Sequence, residues 1–373
     1  MTEIPEIMAG VQLTGHGGPE RLVWREDIPV PEPGPGEALV RVRAAGVNNT
    51  DINTRIGWYA KTVSGSTEAA AASGGAEAGG WAGALDFPRI QGGDLCGRVV
   101  AHGEGVSGPP VGARVICANV QPEPTAENSV GYRAIGSEYD GAFAQFCTVP
   151  ARHLFDVTDA PLSDVELGAV PCNWGTAMAL VTRAEVGAGD RVLVTGASGG
   201  VGLAAVALAA LKGAEVTGQA RGDKHGAVRE AGATVCIERD ATPAKAGFDR
   251  VIDLVGGSRW GGLIDALRPG GRYAVSGAIA GPIVQADLRT IYLNDLTLAG
   301  STFQPAEDFG ALVALVRAGR VQPRIAATYP LARIGEAQAA FAAKATAGKL
   351  VLIPPPRQGA EAPWPCPPTR VPV

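Results

Sequence analysis

Charged residues are sparse in this sequence, and no long apolar run takes their place. Asp, Glu, Lys and Arg make up 18% of the 373 residues, and the formal net charge is −5. This balance gives no basic field for a nucleic acid, which argues against DNA- and RNA-binding proteins. No apolar stretch reaches the roughly 20 residues of a membrane-spanning helix, and the N-terminus lacks a signal-peptide pattern. We therefore predict no nucleic-acid partner and no membrane partner.

The cysteines are few and scattered, at positions 96, 117, 147, 172, 236 and 366, and none forms a CxxC pair. This spacing argues against a zinc ribbon and against a disulfide framework. A reducing cytoplasm is therefore the expected compartment. Hydrophobic residues make up 46% of the chain, which is enough for a large core, and the length predicts two domains.

The most informative stretch runs from Arg191 to Arg221 and is typical of a strand, a glycine turn, a helix and a second strand. Arg191–Thr195 is rich in β-branched residues, as buried parallel strands are, and the Ala/Leu-rich segment Val201–Lys212 predicts a helix. In such a unit the glycines let the backbone approach a pyrophosphate at the helix N-terminus. The glycines assigned to this role are Gly199, Gly200 and Gly202. A turn that merely connects two elements is the alternative, but the spacing fits a dinucleotide fingerprint, with Ala197 in place of its first glycine.

The end of the second strand indicates which dinucleotide is bound. A site for NAD usually places a carboxylate there, on the ribose 2′-hydroxyl. This strand tip has none, and Arg221 and Lys224 follow it. A planar guanidinium and a point charge suit a 2′-phosphate, so the sequence predicts NADPH. Two alternatives stay open: both cations are ordinary solvated charges, or Asp223 reaches the ribose instead.

The two halves of the chain differ in their predicted secondary structure. Up to about residue 160 the sequence predicts short strands punctuated by glycine, whereas after about Leu162 strands alternate with helices. Six strands with crossover helices predict a doubly wound α/β sheet that binds its cofactor at the carboxyl ends of the strands. Thr62–Gly83 is rich in Ala, Gly, Ser and Glu and predicts a mobile insert, and the proline-rich segment Pro354–Val373 predicts disorder.

Several motifs make the chain resemble the medium-chain dehydrogenase/reductase superfamily from about Val11 to Ile353. They are Gly46-Val47-Asn48-Asn49-Thr50-Asp51, Gly92–Val100 (GGDLCGRVV), Gly112–Val115 (GARV), Thr176-Ala177, the glycine turn, Val255-Gly256-Gly257 and Gly348–Leu352 (GKLVL). Among the branches of this superfamily, the chain looks most like the zinc-independent quinone oxidoreductases, which include zeta-crystallin. The resemblance implies a β-rich GroES-like catalytic domain and a Rossmann NADP-binding domain. We expect the first catalytic segment at 1–157 with the mobile insert at 62–83, the Rossmann domain at 158–302, a return segment of the catalytic domain at 303–353 and a disordered tail at 354–373.

The resemblance also bears on metal binding. Zinc-dependent alcohol dehydrogenases of this superfamily have a cysteine where this chain has Asn48, a histidine where it has Gly93, and a second cysteine that matches Cys172. One thiolate cannot hold a catalytic zinc, which takes three protein ligands, so we expect no metal site. A small buried residue is the favoured interpretation of Cys172. Without a Lewis acid, a conjugated enone or quinone is the suitable hydride acceptor, because hydrogen-bond donors and a proton source suffice for the enolate.

By the same resemblance, Tyr59 and Asn48 are the candidate catalytic residues. Tyr59 matches an active-site tyrosine of quinone oxidoreductases, whereas a second tyrosine of that group is Asn53 here. A packing role for Tyr59 beside Trp58, and a turn role for Asn48, stay open. The complete set of expected cofactor contacts is Asn48, Thr176, Gly199, Gly200, Val201, Gly202, Arg221, Lys224, Val255, Gly256, Ser276, Gly277, Phe303 and Lys349.

Taken together, these residues predict a zinc-independent, NADPH-dependent reductase of quinones or α,β-unsaturated carbonyls. A zinc-type alcohol dehydrogenase with unusual ligands and an NADPH-binding protein with vestigial activity are the alternatives. Leu296–Gly300 is apolar and uncharged, so it is expected to be an outer strand that pairs with a second copy in a homodimer. Thr62–Gly83 is a candidate lid over a bulky substrate, and a surface loop without function is its alternative.

Overall fold

The computed structural model describes residues 4–72 and 83–356. These residues form two compact units. The first unit contains residues 4–60, 83–172 and 313–356, and the second contains residues 61–72 and 173–312. The first unit is therefore assembled from three stretches of chain and the second from two.

Strands dominate the chain up to about residue 160, and strands and helices alternate after it. The strands are β1 Ile7–Leu13, β2 Leu22–Pro29, β3 Glu37–Gly46, β4 Arg89–Ile90, β5 Cys96–His102, β6 Arg114–Cys117, β7 Val120–Pro122, β8 Tyr132–Ala134, β9 Phe146–Pro150, β10 Leu154–Asp156, β11 Arg191–Val194, β12 Glu215–Ala220, β13 Val235–Glu238, β14 Phe248–Asp253, β15 Leu267–Val275, β16 Thr297–Gly300, β17 Ile325–Pro330 and β18 Lys349–Ile353. The α-helices are α1 Asn49–Arg55, α2 Thr67–Ala72, α3 Asp164–Leu167, α4 Pro171–Arg183, α5 Gly200–Leu211, α6 His225–Glu230, α7 Trp260–Asp265, α8 Leu288–Leu293, α9 Ala306–Arg317 and α10 Ile334–Ala342.

The first unit is built around a mainly antiparallel sheet. Its strands follow the order β10-β6-β5-β3-β18-β17, and β9 also pairs with β3. The β3 sequence, EALVRVRAAG, supplies small and β-branched residues that suit a buried pleated surface, and most of its side chains are buried. Leu39, Phe143 and Leu352 belong to the core of this unit. The sheet brings β3 next to β18, with Ala45 opposite Leu352, although more than 300 residues separate them in the chain.

The second unit contains a parallel sheet in the order β13-β12-β11-β14-β15-β16. Strands β11 and β14 lie at its centre and are almost wholly buried, as expected for parallel strands covered on both faces. Helix α5 connects β11 to β12, α6 connects β12 to β13, and α7 connects β14 to β15. This doubly wound arrangement places the carboxyl ends of the strands along one edge, where the strand order reverses between β11 and β14.

The segment 164–183 forms two helices, α3 and α4, because Pro171 can begin a helix but cannot continue one. Strand β17 lies beside β18 at the end of the first unit's sheet. In the expected insert, Thr67–Ala72 forms α2, and the Thr67 N–H donates to the Ile279 carbonyl at 3.3 Å. Residues 73–82 of that insert, including Trp81, and the tail from 357 onward lie outside the described residues.

No helix within the described ranges combines the length and the apolar character needed to cross a bilayer.

Candidate functional site

The turn between β11 and α5, with the start of α5, requires glycine at several positions. Gly196 has a φ of +58°, a conformation that favours glycine. A Cβ on Gly202 would collide with the carbonyl oxygen of Gly196, and a Cβ on Gly200 would collide with the side-chain amide of Asn173. Helix α5 therefore begins directly against the turn, with Gly199 as its N-cap. The free backbone N–H groups of its first turn are where such folds bind a pyrophosphate.

A buried carboxylate fixes the next loop along the same edge. Asp253, at the end of β14, is 0% exposed and accepts hydrogen bonds from the Thr195 hydroxyl and the Tyr273 phenol, each at 2.6 Å. It also accepts the Val255 N–H at 2.9 Å, which holds the turn at Gly256, where φ is +63°. Burial, together with the neighbouring carboxylate, raises the pKa of Tyr273, so the phenol stays protonated and acts as a donor. Asp253 thus positions the predicted contacts Val255 and Gly256.

The end of β12 carries carboxylates as well as the predicted cations. Arg221 pairs with Asp223 through one edge of its guanidinium, Nε to Oδ1 and Nη2 to Oδ2, at 2.7 Å each. The hydrogen bonds from Arg221 hold the pKa of Asp223 below its ordinary value. A Cβ on Gly222 would lie 2.6 Å from a carboxylate oxygen of Glu238, so a second acid stands beside the same turn. Lys224 follows within the same 3-10 turn, Gly222–Lys224.

Of the remaining predicted contacts of the second unit, Ser276, Gly277 and Phe303 follow strands of this sheet, and Thr176 lies in α4. The Ser276 hydroxyl donates to the Ser301 carbonyl at 2.8 Å. A Cβ on Gly277 would lie 2.7 Å from the Leu254 carbonyl oxygen, so this position also requires a minimal side chain. Thr176 accepts a long hydrogen bond of 3.5 Å from Gln304, and the Phe303 ring lies 5.4 Å from the Arg183 guanidinium.

The first unit contains a buried cluster of an amide, an acid and an amine. Lys349 lies 2.7 Å from Asp94, and its ammonium also donates to the Asn48 side-chain oxygen. The Asn48 side-chain nitrogen donates to Asp94 at 2.9 Å, and the second carboxylate oxygen of Asp94 accepts the Cys172 N–H at 2.6 Å. A Cβ on Gly46 would collide with both Asp94 and Lys349. The Asn48 amide is therefore engaged at both ends by groups of this unit.

Asp51 lies next to this cluster and closes the first turn of α1. Its carboxylate accepts the Asn48 N–H at 2.8 Å, an arrangement that caps the helix. Burial raises the pKa of Asp51 to about 7, and the nearby Asp94 carboxylate acts in the same direction. The hydrogen bond from the Asn48 backbone opposes this shift but does not cancel it.

Tyr59, the predicted substrate donor, is half-buried close to Asn53, Asp51 and Cys172. Its ring packs edge-on against Trp58, with the ring centroids 5.4 Å apart. Burial raises the pKa of the phenol, and a hydrogen bond from the Asn53 side chain opposes this effect. Tyr59 is consequently a phenol over the whole physiological pH range, as a proton donor must be.

The positions that match zinc ligands do not form a metal-binding group here. Asn48 is held by Lys349, Gly93 offers no side chain, and only Cys172 could supply a thiolate. Over the described ranges, no three His, Cys, Asp or Glu side chains are arranged to hold a metal ion.

The structure thus gathers the predicted residues into two groups. The contacts from the glycine turn to Gly277 share one edge of the parallel sheet, whereas Asn48, Tyr59 and Lys349 belong to the first unit. Asp94 and Asp253, which organise the two groups, were not singled out as functional from the sequence. Only their positions in the sequence could have indicated a role. Asp94 follows the two glycines that begin the Gly92–Val100 motif, and Asp253 ends a strand.

Comparisons with known proteins give the family. The sequence model of the alcohol dehydrogenase GroES-like domain matches residues 34–159, and that of the zinc-binding dehydrogenase domain matches residues 231–352. A solved structure described as a candidate alcohol dehydrogenase from Sinorhizobium meliloti 1021 is 37% identical, has a TM-score of 0.82, and covers 95% of this chain and 99% of that one. The chain belongs to the medium-chain dehydrogenase/reductase superfamily, an oxidoreductase family that binds a nicotinamide cofactor. The predicted superfamily and the predicted GroES-like and Rossmann folds are confirmed.

Two curated relatives match at lower identity over nearly their whole length. The acryloyl-coenzyme A reductase of Sulfurisphaera tokodaii is 28% identical over 90% of this chain and 98% of its own length. The quinone oxidoreductase of Mus musculus is 26% identical over 93% of this chain and 98% of its own length.

Proposed function

We propose that this protein is an NADPH-dependent reductase that transfers hydride to a quinone or an α,β-unsaturated carbonyl compound without zinc. The observation that carries the proposal is the buried cluster in the first unit. Where zinc-dependent relatives have a cysteine ligand, this chain has an amide whose oxygen is held by the Lys349 ammonium. A site of this composition favours an acceptor that needs hydrogen-bond donors rather than a Lewis acid.

The residues at the sheet edge fit a dinucleotide. Gly200, Gly202 and Gly277 are each packed so closely against neighbouring atoms that only glycine fits, and the N-terminus of α5 favours an anion. The bound nicotinamide supplies a hydride. Arg221 and Lys224 would hold the 2′-phosphate, which is the reason to expect NADPH rather than NADH.

Tyr59 would serve as the donor to the substrate oxygen. Hydride adds to the β-carbon of a conjugated acceptor, and the electron pair moves to the carbonyl oxygen. A phenol that stays protonated can stabilise that oxyanion by a hydrogen bond and pass its proton to it, and the phenolate then regains a proton from solvent. The names of the two curated relatives, acryloyl-coenzyme A reductase and quinone oxidoreductase, support both acceptor classes.

The proposal is tested by following NADPH consumption with a panel of quinones, enones and enoyl thioesters, beside simple ketones and, in the oxidative direction, primary and secondary alcohols. We expect turnover of the conjugated acceptors and none of the simple ketones or alcohols. Preferential oxidation of simple alcohols would instead support a zinc-type alcohol dehydrogenase. Tight NADPH binding with no turnover over the whole panel would support a binding protein with vestigial activity.

We also propose a homodimer formed through β16. This strand ends the parallel sheet and carries no charge that would prevent edge pairing. Apolar side chains are exposed just before it, among them Leu288 at 67% and Leu293 at 71%. A second copy would pair with the edge and cover this surface.

A further inference from the structure

The turn that follows β12 is surrounded by charges of both signs, although its sequence suggested a cationic site. Arg221 and Lys224 supply two positive charges, and Asp223 and Glu238 supply two negative charges within the same turn and its neighbouring strand. The ring of His225, the next residue, has its Nε2 atom 3.0 Å from the Ala220 carbonyl oxygen and 4.0 Å from Glu238. The charges of the turn therefore do not by themselves favour a dianionic phosphate.

Asp223 uses the groups of Arg221 that a phosphate would use. Nε and Nη2 form the edge of the guanidinium that binds carboxylate or phosphate in a bidentate manner, and both donate to Asp223. A 2′-phosphate can take the same edge only by displacing this carboxylate. The displacement is feasible, because the side chains of Arg221 and Asp223 are 53% and 55% exposed and such pairs are weak.

The location of the Arg221–Asp223 pair, rather than its geometry, distinguishes it from a similar pair elsewhere in the protein. Arg25 and Asp27 form the same i,i+2 pair in the first unit, at 2.8 and 2.7 Å, with 48% and 63% exposed side chains. Of these two pairs, the one at Arg221 follows β12, the strand whose tip faces the adenosine ribose in a fold of this kind. A carboxylate at that place can accept the ribose 2′-hydroxyl, as the acidic residue of NAD sites does.

We propose that Asp223 determines how strongly the protein discriminates between NADPH and NADH. It holds Arg221 before the cofactor binds, which reduces the advantage of NADPH, and it accepts the ribose hydroxyl when NADH binds. This inference rests on the proposed function and adds that the wild-type preference for NADPH is small and that one carboxylate limits it.

The test is a fluorescence titration of the full-length protein with NADPH and with NADH. We expect Asp223→Asn to raise the ratio of NADPH affinity to NADH affinity about tenfold, with NADPH binding more tightly and NADH more weakly. Arg221→Ala should lower the ratio, and Asp223→Asn should improve NADPH binding less in that background, since the effect passes through Arg221. Asp27→Asn is the matched control, because it breaks the same kind of pair away from the cofactor, and it should leave both affinities unchanged.

The outcomes separate this inference from the proposed function. If Asp223→Asn leaves the ratio unchanged while Arg221→Ala lowers it, the assignment to Asp223 is wrong and the NADPH site stands. If neither cofactor binds the wild-type protein, the proposed function itself fails, and this inference fails with it. Thermal unfolding of each variant shows that any loss of binding does not come from loss of the fold.

Discussion

Replacing Lys349 by Met should destabilise the first unit strongly. Met keeps most of the length of the side chain and removes its charge, so the effect reports mainly on the ion pair rather than on packing. The partners are almost inaccessible, with side chains 4% and 0% exposed, and the Lys349 ammonium lies 2.7 Å from Asp94. Removing one partner of such a pair leaves a buried charge without compensation, which costs about 3–5 kcal/mol of the free energy of unfolding. The lost hydrogen bond to Asn48 adds about 1 kcal/mol.

The double variant Lys349→Met/Asp94→Asn shows whether the loss of stability comes from the uncompensated charge of Asp94. Because the carboxylate is removed together with the ammonium, we expect it to be more stable than Lys349→Met alone, despite carrying one more substitution. Arg25→Met is the control for a surface pair and should have no measurable effect.

These stabilities are measured by urea unfolding at several pH values, monitored by tryptophan fluorescence. Additive costs in the double variant, or a Lys349→Met cost below about 1 kcal/mol, would show that this pair behaves as a surface ion pair does. In that case Asn48 and Asp94 must be held by other groups.

Three further predictions concern Tyr59, Asp51 and the edge strand β16. Tyr59→Phe should slow turnover about 10–100-fold, equivalent to about 1.4–2.7 kcal/mol, without changing the affinity for NADPH. The control Tyr292→Phe, at an exposed tyrosine, should change neither the rate nor the affinity. An unchanged rate in Tyr59→Phe would show that Tyr59 has only a packing role. Burial raises the pKa of Asp51 to about 7, so its contribution to stability is lost as the pH rises from about 4 to 7. Asp51→Asn should therefore gain stability relative to wild type over that same range of pH, and parallel pH curves would contradict this. Light scattering at micromolar protein should give about twice the 38.0-kDa chain mass, and Leu298→Lys should give the monomer; a wild-type monomer would refute the dimer.

The parallel sheet was predictable because its information is local. Arg191–Val194 and Gly200–Leu211 combine short apolar strands, glycines and an unbroken Ala/Leu helix at fixed spacing. Each of these signals lies within about a dozen residues of the next, and the right-handed crossovers then place the helices on the two faces of the sheet. The sequence motifs were sufficient for the superfamily for the same reason.

The polar networks were not predictable because they join distant parts of the chain. Lys349 reaches Asn48 across 301 sequence positions, and Asp94 reaches the backbone of Cys172 across 78. The sequence suggested Lys349 as a cofactor contact, and the structure gives its ammonium two partners inside the first unit. Asp223 could not be predicted either, although it is close in sequence. The sequence shows a carboxylate near Arg221 but does not show that it occupies the Nε/Nη2 edge of the guanidinium.

The central claim, hydride transfer to a conjugated acceptor without zinc, is tested most directly on one sample of protein produced with zinc in the medium. Its zinc content is measured by elemental analysis, and the rate of NADPH-dependent enone reduction is measured before and after dialysis against a chelator. We predict much less than one zinc per chain and an unchanged rate after dialysis. One zinc per chain, lost together with the activity on dialysis or in Cys172→Ala, would contradict the account.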